Sequence, residues 1–205
     1  MKNNAYKLSL SALMLMGLLC HVADAQQDSG KAQGKAVIDP KTITRITLGT
    51  ITGIPGTVVL VPVYFTPAEG VDVGSVKLEV NFVSANLKFE KIERGLAAET
   101  GNVDLSAKVK EDKNENGVDT STVTIQASLP NSAIPKKGIP GGLLAHMLLR
   151  ISETGRPANI TLRTVFEAAE LGTTNPLKNV RSFDAQVEVV APGSQPAVAC
   201  FFFSH

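Results

Sequence analysis

The stretch GSVKLEVNF, residues 74–82, decides the fold class of this chain. Its apolar side chains occupy every second position: Val76, Leu78, Val80 and Phe82. The polar side chains occupy the positions between them: Lys77, Glu79 and Asn81. Because successive side chains of a strand point to opposite faces, this period of two predicts a β-strand with one face in a core and the other toward solvent.

The same alternation extends in both directions along the chain. In STVTIQASL, residues 121–129, the inward positions are Val123, Ile125 and Ala127, and the outward positions are Thr122, Thr124 and Gln126. Comparable short segments occupy residues 43–53, 57–65, 86–95, 103–111, 141–152, 158–166 and 182–190. Pro62 predicts that its segment lies at a sheet edge or contains a bulge. About eight or nine short strands separated by turn residues predict an all-β fold, an antiparallel β-sandwich of jelly-roll type over residues 42–191.

The composition fits one sandwich domain and argues against two classes of protein. Of the 205 residues 43% are hydrophobic, and 20 Lys and Arg balance 19 Asp and Glu. This balance lacks the basic excess of a nucleic-acid-binding surface, so no nucleic-acid partner is predicted. The apolar fraction is too high for a chain that is disordered throughout.

Residues 1–25 have the layout of a secretory signal peptide. A positively charged start precedes an apolar run at residues 8–19, and Ala23-Asp24-Ala25 supplies the small residues of a cleavage site. The run is too short to cross a bilayer, so no transmembrane segment is predicted in the mature chain. The alternative is a lipoprotein signal ending at Cys20, although a bulky leucine precedes that cysteine. Cleavage at the Ala-x-Ala site predicts an exported protein, extracellular, at the cell surface or in the periplasm, with residues 26–41 as a flexible leader.

Catalytic motifs are missing from the sequence. It contains no nucleophile elbow, no HExxH, no P-loop and no dinucleotide fingerprint. His146 lies inside an apolar strand segment, where a surface position is a commoner role than that of a general base. We therefore predict a protein that is not an enzyme and that uses no cofactor.

One loop begins like a calcium site. Asp112, Asn114, Asn116 and Gly117 match the first half of an EF-hand loop, D-x-N-x-N-G. The twelfth position of such a loop needs a bidentate acid, and here it is Val123. Asn-Gly is typical of β-hairpin turns, so we predict a solvated hairpin and no metal site.

The segments in their order along the chain resemble a cohesin domain. Residues 46–95 resemble the opening half, with a first strand, a glycine-rich turn, a Val-Pro-Val strand and an alternating strand. GGLLAHMLLRIS and SFDAQVEVV stand where later cohesin strands would be, so that the resemblance covers roughly residues 43–191. The family has a Tyr-Asp pair near the end of the alternating strand, and this chain has Asn81-Phe82 instead. The change affects the expected dockerin specificity more than the expected fold.

The resemblance implies a non-catalytic module that docks a dockerin-type or other secreted protein, with a place in extracellular polysaccharide degradation. Cohesins use one sheet face for the partner, and position by position that face includes strands 74–82 and 121–129. The residues predicted to bind the partner are the outward side chains of these strands: Lys77, Glu79, Asn81, Thr122, Thr124 and Gln126.

A carbohydrate-binding module is the runner-up function, with polysaccharide as partner, and an exported hydrolase is third. Cohesins resemble certain cellulose-binding sandwiches in architecture, so the fold does not separate the first two. Sugar platforms depend on exposed aromatic rings, and this chain has no Trp. Tyr64 stands in a core-like segment, and Phe82, Phe166 and Phe183 are expected to pack in the core. These positions favour a protein partner.

Residues 192–205 form a linker and an apolar tail that ends in VACFFFSH. Three consecutive Phe residues cannot all face inward on one strand. The tail is either a final packed strand or a recognition tag for sorting or assembly, and the sequence favours neither. An exposed apolar segment of this kind usually marks an interaction site.

Overall fold

The computed structural model of the chain describes residues 39–130 and 137–194. Within these ranges a short 3-10 turn (Pro40–Thr42) precedes eleven strands and one short helix. In chain order they are β1 (Thr44–Leu48), β2 (Ile51–Gly53), β3 (Val58–Thr66), β4 (Val73–Val83), β5 (Leu87–Arg94), α1 (Leu96–Thr100), β6 (Asp104–Lys113), β7 (Asp119–Ser128), β8 (Gly142–Ile151), β9 (Ala158–Glu170), β10 (Val180–Phe183) and β11 (Ala185–Val189). The predicted signal peptide, nearly all of the predicted leader and the tail from residue 195 lie outside the described residues.

The strands form two sheets. One has five strands in the order β10-β1-β3-β8-β5, and the other has six in the order β2-β11-β9-β4-β7-β6. The predicted all-β sandwich is therefore confirmed. No helix among the described residues has the length and apolar character needed to cross a membrane.

Two segments cross from one sheet to the other, which raises the number of strands above the predicted eight or nine. Residues 43–53 form β1 in the five-stranded sheet and then β2 in the six-stranded sheet. Gly49 lies at this crossing, where a Cβ would stand 2.6 Å from the Pro62 ring. Residues 182–190 divide in the same way at Asp184 into β10 and β11. β10 pairs parallel to β1 and β11 parallel to β2, while the other described strand pairs are antiparallel.

The core lies between the sheets and contains the side chains that alternation places inward. On β4 these side chains are at most 4% exposed: Val76, Leu78, Val80 and Phe82. Phe65 of β3 and Phe166 of β9 meet edge to face across the core, with 6.5 Å between ring centroids. Interdigitation of the two inner faces is what holds a sandwich together in the absence of long helices.

Pro62 does not lie at a sheet edge, contrary to the prediction from its segment. Its strand β3 is the middle strand of the five-stranded sheet, between β1 and β8. The alternative prediction, an irregularity, describes the strand better, because the β3–β8 register shifts between Val63 and Tyr64. A proline removes one ladder donor, and an irregularity one residue away is where a central strand tolerates that loss.

Arg94 links the two sheets at one side of the sandwich. It is the last residue of β5, and its Nη2 donates to the carbonyl oxygens of Ala98 in α1, at 3.0 Å, and of Val103, at 2.7 Å. Val103 directly precedes β6 of the other sheet and is fully buried. The Arg94 guanidinium thus provides hydrogen-bond donors for two carbonyls of the connection between β5 and β6, where the chain passes from one sheet to the other.

Candidate functional site

The six residues predicted to bind a partner lie together on the outer face of the six-stranded sheet. β4 and β7 are neighbours, and the register pairs Lys77 with Gln126, Glu79 with Thr124 and Asn81 with Thr122. Gln126 is exposed and the other five are half-buried. The sheet therefore brings all six side chains into one patch of three cross-strand pairs; their role in binding stays a prediction.

Hydrogen bonds and ion pairs order the side chains of this patch. The Asn81 amide Nδ2 donates to Thr122 Oγ1 at 2.9 Å. The Lys77 ammonium lies 2.9 Å from Glu79 Oε1 and 3.7 Å from Glu167 Oε2. Its hydrogen bond to Glu79, with the negative charge of Glu167 as the next cause, raises the pKa of Lys77. Lys77 is thus a firmly charged cation held between two carboxylates.

Strand β9 adds three residues to the face that the alternation argument did not select. Arg163, Val165 and Glu167 lie opposite Asn81, Glu79 and Lys77, respectively. Val165 is 60% exposed and places an apolar side chain among polar ones. The sequence contained the signal, because the odd-numbered positions of residues 159–167 are polar except for Val165, and an apolar residue on an otherwise polar phase is unusual.

Strand β6 completes the face on the other side of β7. Ser106, Lys108 and Lys110 lie opposite Gln126, Thr124 and Thr122. All three β6 residues are exposed. The face thus extends over four strands, with the valine on one side of its centre and lysines on the opposite edge, a layout that suits a partner with a small apolar contact and acidic groups.

A groove borders the face at one end. The loop of residues 171–177 folds back on β9, where Ala169 and Pro176 form an isolated bridge. An open groove of about 360 Å³ lies between this loop and the paired Lys77 and Gln126, with Glu167 and Thr174 also lining it. A neighbouring groove of about 660 Å³ continues past Ser128 toward residues 170–175. The loop therefore forms a wall that limits how a partner can lie across the strands.

The loop with the EF-hand-like start forms the turn of the β6–β7 hairpin. The Asn114 side-chain oxygen accepts the backbone N–H groups of Asn116 and Val118, each at 3.0 Å, and Gly117 has a φ of 73°. The Asp112 carboxylate pairs with the Lys110 ammonium at 2.7 Å. These partners account for the Asn-Gly sequence as hairpin chemistry. Within residues 39–130 and 137–194 no cluster of three or more His, Cys, Asp and Glu has the geometry of a metal site.

The outer face of the five-stranded sheet departs from the predictions for two aromatic residues. Tyr64 is 47% exposed and Phe183 is 45% exposed, so neither packs in the core. Phe82 and Phe166 are buried as expected, at 2% and 6%. Tyr64 lies in a strand whose two phases are both apolar, and such a strand gives no contrast from which to infer which side faces out.

No protein-family model matches the sequence, and no curated protein matches it significantly. Solved structures do match. The sixth cohesin of scaffoldin B from Acetivibrio cellulolyticus, in complex with a mutant Cel5 dockerin, matches with a TM-score of 0.55 and 15% identity over 73% of this chain and 100% of that chain. The third cohesin ScaC of Acetivibrio cellulolyticus, in complex with the ScaB dockerin, matches with a TM-score of 0.54 and 19% identity, again over 73% and 100%.

A third match comes from another organism. The seventh ScaB type I cohesin from Pseudobacteroides cellulosolvens has a TM-score of 0.54 and 14% identity, over 78% of this chain and 99% of that chain. Each of these solved domains is thus covered almost completely by the sandwich of this chain. The described sandwich has the cohesin fold, and the resemblance seen in the sequence is confirmed at the level of the fold.

Proposed function

We propose that this chain, which has the fold of cohesin domains, is a non-catalytic binding module that docks a dockerin-type protein partner. The observation that carries the proposal is the outer face of the six-stranded sheet. It gathers the six side chains selected from the sequence into three adjacent pairs, and two solved domains of the same fold were determined with dockerins bound. The proposed setting is outside the cytoplasm, in extracellular polysaccharide degradation.

The chemistry of the face supports a protein partner. Val165 offers an exposed apolar contact beside Glu79, and the amides of Asn81 and Gln126 offer donors and acceptors on either side of it. Lys77, held between Glu79 and Glu167, offers a fixed charge. A helix laid across β9, β4 and β7 would contact apolar, hydrogen-bonding and charged groups in turn, which is the composition of a non-obligate interface.

Affinity measurements with single variants test the proposal. A panel of recombinant dockerin domains is screened by calorimetry, and Asn81→Ala and Gln126→Ala are compared with Lys178→Ala, an exposed residue in the loop after Pro176. Central polar anchors cost about 2 kcal/mol or more, on the order of thirtyfold in affinity, when truncated. We expect such losses for the first two variants and no loss for the third. Equal, negligible losses at all three positions in folded protein would exclude this face.

Export is tested separately by the mass of the secreted protein. A mature N-terminus at Gln26 is the expected result, because the Ala-x-Ala site ends at Ala25. A lipid-modified N-terminus at Cys20 would instead make the protein membrane-anchored. The intact mass distinguishes the two products directly.

A further inference from the structure

Two exposed aromatic residues stand in one row on the outer face of the five-stranded sheet. The register places Phe183 of β10 opposite Thr47 of β1, and Thr47 opposite Tyr64 of β3. Phe183 is 45% exposed and Tyr64 is 47% exposed, with the half-buried Thr47 between them. Because β1 separates β10 from β3, the two aromatic residues are two strand spacings apart, about 10 Å between backbones. The row therefore presents two apolar rings to solvent with a hydroxyl group between them.

A second row, of cationic residues, crosses the same three strands beside the aromatic row. The register places Arg181 of β10 opposite Arg45 of β1, and Arg45 opposite the exposed Thr66 of β3. The residues on either side of Arg45, Thr44 and Ile46, are each 1% exposed and face the core, so Arg45 faces out. The two rows are two residues apart along each strand, about 7 Å. An aromatic row and a cationic row thus run parallel across β10, β1 and β3.

The arginine pair carries charge that the described residues do not neutralise. None of the ion pairs within residues 39–130 and 137–194 includes Arg45 or Arg181. The Arg45 Nη1 atom donates to the Pro40 carbonyl at 3.4 Å, which accounts for one of the five guanidinium donors. Two like charges directly opposite each other repel and cost stability. A carboxylate bound at this pair would remove the repulsion, and the guanidinium fork matches a carboxylate with two parallel hydrogen bonds.

An open groove of about 260 Å³ borders the cationic row at β1 and β3. Arg45 and Thr66 line it together with Lys41 and Glu69 and two prolines. The Lys41 ammonium lies 3.5 Å from Glu69 Oε1, so these two charges balance each other. Arg45 is then the excess charge in the lining. The groove therefore suits an anionic group at the side of a ligand that lies on the aromatic row.

We propose that this face binds an acidic polysaccharide, a linear chain of uronic acid units. We call it the glycan face, and its residues are Phe183, Thr47, Tyr64, Arg181, Arg45 and Thr66. The sugar chain lies across the strands, with ring faces on the aromatic row and carboxylates on the arginine pair. The strand spacing of about 4.8 Å is close to the length that one sugar unit adds to an extended polysaccharide, so successive units meet successive strands. The Thr47 and Thr66 hydroxyls supply hydrogen-bond donors and acceptors for sugar hydroxyls.

The parallel rows favour a polyuronate over an acidic protein segment. Each uronic acid unit carries an apolar ring face and, at the edge of that ring, a carboxylate, so one chain meets both rows at once. An extended peptide presents its side chains in a single line on each face, about 7 Å apart, and its acidic and apolar groups share that line. The glycan face lies on the opposite side of the sandwich from the dockerin-binding face, and its proposal does not depend on dockerin binding.

Calorimetric titration of the full chain with a short galacturonate oligosaccharide, at a salt concentration of about 0.15 M, tests the proposal. The matched ligand is the methyl ester of the same oligosaccharide, which keeps the sugar rings and removes the charges. We expect the acid to bind and the ester to bind about a hundredfold more weakly, because the charge-assisted hydrogen bonds to both arginines are lost. Equal affinities for the two ligands, or no binding of the acid, would overturn the proposal.

Variants of the cationic row show whether binding occurs at this face. Arg45→Gln with Arg181→Gln should weaken binding of the acid about a hundredfold. The control, Lys88→Gln with Lys113→Gln, removes two exposed cations elsewhere and should leave the affinity unchanged. Arg181→Gln alone, at an exposed position, gives the same test if the double variant does not fold. Equal losses in the arginine variants and the lysine control would show that net charge rather than this face holds the ligand, and would overturn the proposal.

Variants of the aromatic row show whether the ligand is a sugar. Tyr64→Ala and Phe183→Ala should each weaken binding of the galacturonate about tenfold, because a ring contact is lost. Polyglutamate provides the same charge without sugar rings and should bind far more weakly. Polyglutamate binding as tight as that of galacturonate, lost in the arginine variant and retained in Tyr64→Ala, would assign the face to an acidic protein and overturn the proposal.

A neutral polysaccharide is the remaining alternative occupant. Binding to insoluble cellulose that is lost in Tyr64→Ala and retained in the arginine variant would overturn the role of the charges. Binding of galacturonate without binding of cellulose supports the proposal. Failure of the dockerin screen leaves all of these outcomes unchanged, so the two proposals fail independently.

Discussion

The outer faces of the two sheets differ in the polarity of the side chains at their centres. On the six-stranded sheet, the outward phases of β4 and β7 are polar and are ordered by cross-strand pairs such as Asn81 with Thr122. On the five-stranded sheet, the outward phase of β3 has Leu60, Pro62 and Tyr64 at its centre. The two faces are built on the same core, so the core alone does not determine the chemistry of either face.

The sequence of a strand carries two kinds of information, the contrast between its two phases and the identity of its outward residues. A contrast between the two phases shows which side chains face out, and β4 has that contrast from Val76 to Phe82. The identity of the outward residues indicates the kind of contact that they suit, and there β3 is the more informative strand, because an exposed apolar patch is typical of an interaction site. Four measurements test the two faces and the core and connections that support them, from the largest expected effect to the smallest.

The largest effect is expected inside the core that supports both faces. Leu78 is 1% exposed and lies opposite Ile125 and Phe166, so Leu78→Ala leaves a cavity that costs roughly 2–5 kcal/mol of unfolding free energy. Glu79→Ala, the next residue on the outward phase, should cost far less. Urea denaturation of both variants measures this ranking. The reverse ranking would mean that the register of β4 is wrong by one residue.

The second effect is a loss of dockerin affinity that is expected for a substitution on one face and not on the other. If a dockerin lies on the six-stranded sheet, Val165→Asp places an unpaired charge at an exposed apolar contact and should weaken binding by about 2 kcal/mol, roughly thirtyfold. Leu60→Asp makes the same change on the other face and should leave the affinity unaltered. Calorimetric titration of both variants with the same dockerin gives the comparison. Equal losses would show that the partner does not distinguish the faces.

The third effect concerns the connection between the sheets. Arg94→Ala removes two hydrogen bonds to the carbonyls of Ala98 and Val103, and charged donors of this kind contribute about 1–3 kcal/mol. Lys88→Ala, an exposed position of the same strand, serves as the control and should change stability little. Thermal unfolding of the two variants tests the difference. A loss at Lys88 equal to that at Arg94 would argue against a specific role of the guanidinium.

The smallest effect is a pH dependence at the hairpin that ends the polar face. The hydrogen bond from Lys110, followed by that from the Lys113 backbone, lowers the pKa of Asp112 below its ordinary value of 3.8. A carboxyl with a lowered folded-state pKa stabilises the protein above its unfolded-state pKa, and this contribution is lost as the pH falls through the folded-state value. Asp112→Asn should therefore narrow the gap in Tm between pH 7 and pH 2. An unchanged gap would show that the pair contributes nothing, as for many exposed ion pairs.

The sequence correctly predicts the orientation of strands in which one phase is apolar and the other is polar. β4 and β7 meet this condition, so their inward and outward residues could be stated beforehand, and the cohesin resemblance implied that both strands belong to one sheet face. The position of Phe82 in the core follows from the same reasoning. Local alternation is enough here because burial on one face fixes the orientation of the whole strand.

The remaining features depend on pairing between distant segments, which local pattern does not record. The sheet crossing at Gly49 looks like a continuation of one strand, because the alternation of residues 43–53 does not show which sheet each half joins. Pro62 suggests an edge, since nothing in its own segment shows that β1 and β8 enclose it. Val165 joins the face only once β9 is known to lie beside β4. Each of these three features is determined by which strands pair and in what register, and those strands are far apart in the sequence.

The sheet crossings near the two ends of the sandwich also determine how it responds to tension. β1 runs parallel to β10 in one sheet and β2 runs parallel to β11 in the other, so each of the first two strands lies beside one of the last two and points the same way. A pull applied at Thr44 and Val189 draws these neighbours past each other along their length. The evenly spaced hydrogen bonds of parallel pairs then share the load instead of opening one after another. We expect the sandwich to resist stretching along the chain more strongly than it resists a pull across its strands.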